Sequence, residues 1–444
     1  MKKIIGWVLS VSILTALIQS PCYALDYAQS DKSICAAGGS SYFVDENHVL
    51  WGCGENSHGE LGNGGTGNLT KGSTTVQTTP VKLMEQVRSV SSSGMHTLVV
   101  TLDGTLWGFG LNRCGQLGIG KQGNGVVAGW DEVQTLPVKI MDQVVSACAA
   151  EDYSLALKTD GTLWGFGTAD NLGTGNKGDT VNPYYQETGI DGQPGLHYLQ
   201  TTPIQIMSGI KSMCSGKDHA FAVTTAGELW GWGENLCLGV GNWGERFYTP
   251  QKIMNNVLWV STSYDHTLMI KSDHTLWAWG YHDAGELGDG TPQNMSESLY
   301  VDRPVKVMDD VQAACAASHG SLFFLAPEAP YSVALKTDGT LWTWGANNCG
   351  QLGNGGEGNF TGACNKSTNA PDTFLAQNTP VKIMDGVVEI SAGDFHALAR
   401  KSDGTVWTWG LNDSGQLGNG RQGNAGSGTK QIYQTLPIQI SFVQ

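Results

Sequence analysis

The stretch Lys336-Thr-Asp-Gly-Thr-Leu-Trp-Thr-Trp-Gly-Ala-Asn-Asn-Cys-Gly-Gln-Leu-Gly-Asn-Gly355 decides how the chain is built. It reads as a strand end, a tight Asp-Gly turn, a second strand and a glycine-rich exit loop. The unit occurs seven times, keyed by Trp51, Trp107, Trp164, Trp230, Trp277, Trp342 and Trp407, at spacings of 56, 57, 66, 47, 65 and 65 residues. Each follows a Leu or Val, and a glycine stands three residues further on, from Gly54 to Gly410. Repeats of this length belong to solenoids, propellers or arrays, in which one unit buries its apolar face on the next.

A second marker is as regular. Pro80, Pro137, Pro203, Pro250, Pro304, Pro380 and Pro437 each open a run such as Pro-Val-Lys-Ile. A β-branched run follows, as in Val387-Val-Glu-Ile-Ser-Ala-Gly393, then Phe395-His-Ala-Leu-Ala-Arg-Lys401, an Asp403-Gly404 turn and Thr405-Val-Trp-Thr-Trp-Gly410. Four short strands per unit, radially repeated, predict an all-β fold: a seven-bladed β-propeller of four-stranded antiparallel blades over residues 33–444. The first tryptophan unit has no proline strand before it, and the last proline strand has no tryptophan unit after it. The pattern therefore predicts a ring closed by the C-terminal strand, residues 437–443, completing the blade begun by residues 33–64; this leaves no open edge.

Within the tryptophan strand side chains alternate, so Trp107 and Phe109 share one face while Gly108 and Gly110 leave the other bare for close approach. The tryptophan is expected to be a core anchor. Gly108-Phe-Gly110 does not start a nucleotide-binding motif, because no helical pattern follows any copy. His96, His219, His266 and His396 fall at one repeat position, taken by Tyr153 and Tyr331 elsewhere. A residue repeated around a ring is read as pinning a turn by hydrogen bonding, not as catalytic.

The chain has 444 residues, 61 of them Gly, and a net charge of −15. Glycine alongside 15 Trp points to tight turns around a packed core. The acidic balance excludes a broad electrostatic grip on nucleic acid or anionic lipid, which demands Lys and Arg. Residues 1–24 have the pattern of a secretory signal: Lys2 and Lys3, an apolar run 4–18, then Pro21 and a small residue at Ala24. Cleavage after Ala24 is expected, leaving a short segment 25–32, an exported protein (secreted, periplasmic or at the cell surface), and no membrane insertion afterwards. Nine cysteines then remain, with no C-x-x-C pair, so no metal site is expected. Cys35, Cys148, Cys214 and Cys315 share a repeat position and read as small buried hydrophobes, with disulfides the alternative outside the cytoplasm.

Variation concentrates in the loops between each exit motif and the next proline, expected to gather on one face. These loops carry Trp130, Tyr184, Tyr185, Trp243, Phe247, Tyr248, Phe360 and Phe374, the candidate partner-binding residues, since aromatic side chains on a rigid scaffold make interface anchors. Asp179, Glu187 and Asp191 are a weak candidate for calcium, their spacing matching no known loop. No nucleophile, P-loop, metalloprotease or paired-carboxylate motif is present, so neither catalysis nor a cofactor is expected.

The repeats Asp-Gly-Thr-Leu/Val-Trp-x-Trp/Phe-Gly-x-Asn-x-x-Gly-Gln-Leu-Gly at 103–118, 338–353 and 403–418, with Ala392-Gly-Asp-Phe-His396 before the last, resemble the regulator of chromosome condensation (RCC1-type) repeat family. The resemblance spans essentially the whole mature chain and implies a seven-bladed propeller closed by a shared blade. The founding nuclear member is a nucleotide-exchange factor for the small GTPase Ran; secreted bacterial members include a β-lactamase inhibitor that binds through aromatic loop residues on one face. The resulting expectation is an exported, monomeric, non-catalytic protein-binding propeller. The alternatives are a propeller enzyme acting on polysaccharide or a lactone, and an exchange factor for a host GTPase.

Overall fold

A computed structural model describes residues 33–65, 76–120, 132–175, 178–181, 198–234, 237–241, 245–291, 300–318, 330–356, 360–363, 373–421 and 433–441. They form seven antiparallel sheets in chain order. Blade 1 comprises Ile34–Ala37, Ser40–Val44, Leu50–Gly54 and Gln77–Met84, and blade 7 Val387–Ala392, His396–Lys401, Val406–Leu411 and Tyr433–Ile440. Blades 3 and 6 gain a fifth strand from their long loops, Thr180–Val181 and Phe360–Ala363, on the edge of the outer strand. The first strand of each blade packs on the first strand of the next around the ring, including blade 7 on blade 1.

Two expectations about connectivity are corrected. The proline strand is the last of its own blade, not the first of the following one: Leu106–Leu111 pairs with Val133–Met141 across the variable loop, Trp107 opposite Lys139. Correspondingly, the C-terminal strand does not complete blade 1. It pairs with Val406–Leu411, Trp407 opposite Gln439, while blade 1 takes its outer strand from Gln77–Met84. The reason lies in exposure. The proline strand is partly exposed along most of its length, and an outermost strand is where a residue without an N–H costs no ladder bond.

Closure is therefore by packing and hydrogen bonds between two complete blades. Ile34, Ala36, Phe43 and Cys53 of blade 1 form one apolar cluster with Leu398, Val406 and Ile440 of blade 7. At the seam the Glu389 carboxylate accepts the backbone N–H groups of Ser33 (2.8 Å) and Ile34 (3.2 Å) and the Ser33 hydroxyl, and is held by Arg400 at 2.7 Å. Ser391 Oγ accepts the Ala36 N–H, and His396 Nε2 meets Ser41 Oγ at 2.8 Å.

The repeat residues do the same at other junctions. His96 meets Ser154, His219 meets Thr262 and His266 meets Ser332, each in the following blade. The Tyr153 and Tyr331 hydroxyls donate to carbonyls of the following blade, including those of His219 and His396. The histidines thus bridge blades as well as meeting turn serines such as Ser93 and Ser263, a wider role than the one read from the repeat. Burial drives them well below the ordinary histidine range, His96 and His266 to about 3, His219 and His396 to about 4. They are neutral dipoles at physiological pH.

The keyed tryptophans are also reassigned. Trp107 and its counterparts are half-buried, whereas the aromatic two residues on is fully buried: Phe109, Phe166, Trp232, Trp279, Trp344 and Trp409. The four indoles donate to carbonyls of the preceding blade's exit loop, at Asn171, Cys237, Glu286 and Gln351. The closing glycine of that loop lies flat on the same ring. A Cβ added at Gly353 would come within 2.9 Å of Trp409, so Gly-Gln-Leu-Gly is a contact surface for the next blade.

No disulfide joins any two of the eight described cysteines. Cys148 meets Ser215 Oγ of the next blade at 3.0 Å, and Ser91 and Ser261, at the same repeat position, accept backbone N–H groups of the next blade. Cysteine here is a polar link between first strands as well as a packing group.

Candidate functional site

Where the repeats depart from their own rule, the ring opens. From the glycine ending the tryptophan strand to the glycine closing the exit loop is eight residues in blade 2, Gly110 to Gly118, but six in blade 3, Gly167 to Gly173, and six in blade 4, Gly233 to Gly239. Both short loops lack the Gly-Gln pair. In addition, a loop glycine donates to the next blade's outer strand at six junctions, as Gly64 to Thr135 and Gly175 to Tyr248. Among the described residues the junction of blades 4 and 5 carries no such bond.

The shortened loop of blade 3 is filled from the neighbouring blade. Arg246, the first residue of the outer strand of blade 4 (Arg246–Met254), donates to Asn171 Oδ1 at 2.7 Å and lies 3.7 Å from the Asp218 carboxylate. The shortened loop of blade 4 is not filled in this way. The residue at the Arg246 position is Tyr300: Arg246 pairs with Glu234, and Tyr300 with Tyr281, each just beyond the strand's glycine. Here a cavity of about 50 Å³ opens, lined by Asp218, His219, Glu234 and Cys237 of blade 4 and Tyr264, Asp265, Tyr281 and Tyr300 of blade 5.

Its chemistry is anionic and aromatic. Asp265 precedes His266 as Asp218 precedes His219. Tyr281 and Tyr300 meet edge to face with ring centres 4.4 Å apart. At the rim, Lys217 lies 4.7 Å from the Tyr264 ring centre and 3.6 Å from Glu151. Partial burial and the neighbouring Asp218 raise the Glu234 carboxyl. Burial, then Asp265, holds the Cys237 thiol protonated, and burial, then Tyr281, raises the Tyr300 hydroxyl. A protonated thiol and a neutral His219 do not make an activated nucleophile. Carboxylates do converge here, the feature a propeller enzyme would need. Yet the cavity is far below the roughly 300–1,000 Å³ of substrate pockets, and Asp218 is engaged with Arg246.

Of the candidate partner-binding aromatics, Tyr248 is 41% exposed, whereas Phe247 packs half-buried on the core cluster containing Phe221 and Trp279. Phe360 and Phe374 lie in paired strands of blade 6. Trp130, Tyr184, Tyr185 and Trp243 fall outside the described residues, as do residues 1–32, Glu187 and Asp191. The Asp179 carboxylate accepts the backbone N–H and hydroxyl of Thr201, which makes it a loop lock. The pocket itself was not foreseen. Its sequence signal is the two-residue shortening of the exit loop, together with the Arg-to-Tyr change at the start of the outer strand.

A ring of seven four-stranded blades, each stapled to the next, defines the chain as a repeat β-propeller. Its repeats are those of the regulator of chromosome condensation family: the description "Regulator of chromosome condensation (RCC1) repeat" matches residues 103–157, 338–400 and 403–444, and a second model of the repeat matches 87–116, 210–237 and 387–416. The chain is 26% identical over 408 residues to the human E3 ubiquitin-protein ligase HERC2, covering 88% of this chain but 7% of that protein. It is 26% identical to the Arabidopsis thaliana ultraviolet-B receptor UVR8, covering 89% of this chain and 68% of the receptor. Among solved structures, yeast RCC1 (Prp20) in its complex with Kap60 superposes with a TM-score of 0.66 at 19% identity, over 99% of this chain and 91% of that one; this likeness is one of fold.

Proposed function

We propose that the chain is an exported, non-catalytic, monomeric propeller that binds a protein partner through the face from which its variable loops leave. The observation that carries this reading is the clustering of departures on that face at blades 3 to 5. These are two shortened exit loops, a junction lacking its loop bond, the exposed Tyr248 and Tyr264, and an acidic aromatic pocket. Elsewhere the polar repeat residues are spent on holding blades together, which leaves a rigid platform on which loops can carry recognition. Relatives of the fold have been described with protein partners, Prp20p with Gsp1p and histones. The leader-like residues 1–24 supply the export part of the proposal.

The test is affinity capture of exported proteins on the immobilised mature chain, wild type against Tyr248→Ala and Tyr264→Ala. A specific partner lost on these substitutions, with melting unchanged, is expected; a chain that retains no partner defeats the reading. N-terminal sequencing of the exported protein should begin at Leu25, and a start at Met1 contradicts export by cleavage.

A further inference from the structure

We infer that the pocket between blades 4 and 5 receives the guanidinium of an arginine side chain presented by a protein partner. The inference rests on the protein-binding function proposed above and names the chemistry that binding would recognise.

The chain shows what such a pocket takes. At three successive junctions an aspartate stands immediately before the second strand of the following blade: Asp152, Asp218 and Asp265. Between blades 2 and 3, the Arg113 guanidinium reaches Asp152 at 3.4 Å from the exit loop. Between blades 3 and 4, where that loop is two residues shorter, Arg246 of the outer strand occupies the gap against Asn171 and Asp218. Between blades 4 and 5 the loop is equally short and Asp265 is present, but the outer strand opens with Tyr300. A cavity remains in place of the guanidinium.

The lining suits that group. Asp265 and Glu234 supply negative charge beside the Asp218 already paired with Arg246, while Tyr264, Tyr281 and Tyr300 offer rings on which a flat, weakly hydrated cation can stack. Lys217 already lies over Tyr264 at the rim, so one wall of the pocket meets a cation within the chain itself. The volume of about 50 Å³ has room for the head of a side chain. Among the described residues that line the pocket none is Lys or Arg; Lys217 stands at the rim and Arg246 is engaged with Asp218.

The test uses the mature chain with labelled tyrosines and follows their NMR signals during titration with N-acetyl-arginine-amide. N-acetyl-citrulline-amide, the neutral isostere, serves as control. Saturable shifts of Tyr264, Tyr281 and Tyr300 with the arginine compound alone are expected. Asp265→Asn should weaken them at least tenfold, and Tyr300→Arg, which recreates the filled junction of blades 3 and 4, should abolish them. Both variants are checked by melting; if Tyr300→Arg does not fold, Asp265→Asn decides. Equal shifts with both compounds, or unchanged affinity in Asp265→Asn, overturn the inference. Failure here is separable from failure of the proposed function. A partner retained equally by wild type and Tyr300→Arg removes the pocket's role and leaves the protein-binding reading intact. Arginine binding without any captured partner removes that reading instead.

Discussion

Replacing Glu389 tests how the ring is held shut. At its repeat position blades 2, 3 and 4 carry Ser89, Ser146 and Ser212, so Glu389→Ser is a substitution the scaffold already accommodates. What it removes is particular to the seam: a carboxylate 10% exposed that accepts two backbone N–H groups and a hydroxyl of residues 33 and 34 while paired with Arg400. Hydrogen bonds to a charged group contribute about 1.5–3 kcal/mol each, but the freed N–H groups recover part of this if the strand lifts into water. Arg400 is 30% exposed and can resolvate. The expected loss is about 3–5 kcal/mol, the usual result of removing one partner of a buried pair. Ser89→Ala at the equivalent place in blade 2 should cost under about 1 kcal/mol. Urea unfolding of both variants gives the difference. Hydrogen exchange should show the amides of Ile34 and Ala36 losing protection before those of blade 4. Equal effects of the two substitutions, or an unchanged Ile34 amide, would refute closure by Glu389.

Three further outcomes are expected. Glu60 and Glu286 stand where other exit loops have Gln116, Gln351 and Gln416, and burial raises both, Glu60 to about 8. Holding more protons folded than unfolded, they favour the native state at low pH and lose that contribution as pH rises from 4.5 towards 8, so Glu60→Gln should raise the urea midpoint increasingly over that range, at about 1.4 kcal/mol per pH unit at most. The four bridging histidines have the opposite sign: with folded values of about 3 to 4, their contribution is complete above 6.5 and drains as pH falls, roughly 1.4 kcal/mol each by pH 5.5. The double variant Glu60→Gln/Glu286→Gln should therefore be more acid-labile in slope than wild type between pH 6.5 and 4.5, and a flat pH profile there contradicts the assignment. Finally, Trp409→Ala should cost about 3–5 kcal/mol through the cavity, while Trp407→Ala, half-buried and bonded to Thr405, should cost distinctly less; equal losses in thermal melts would show that burial does not separate them.

Much of the architecture was legible because a repeat prints each strand seven times. The Asp-Gly turns, the seven tryptophan strands and the shared position of His96, His219, His266 and His396 all appear as read. What a cyclic pattern does not carry is its phase. Proline strand, β-branched run, histidine strand and tryptophan strand follow one another in the same order wherever a blade is said to begin. The pairing of Val406–Leu411 with Tyr433–Ile440 spans a loop of 21 residues, which hides a hairpin that a two-residue turn would announce. Exposure resolves the phase, and exposure is a tertiary property. The tryptophans mislead for a related reason: Trp407 and Trp409 share a strand face, but only the second lies beneath the preceding blade's exit loop.

Function follows the opposite logic, because in a ring of equivalent units information resides in the exceptions. A residue present seven times holds seven junctions; a residue present once acts at one. Glu389 is the one carboxylate at a position otherwise Ser, Ala or Trp, and it stands where the chain's two ends must be joined. Tyr300 replaces the arginine that closes the neighbouring gap, and a cavity stands where that arginine would be. The two departures lie in different parts of the ring, the seam of blades 7 and 1 and the junction of blades 4 and 5. Substitutions at the seam should therefore alter stability without altering recognition, and those at the pocket the reverse, since sites without shared partners act nearly independently.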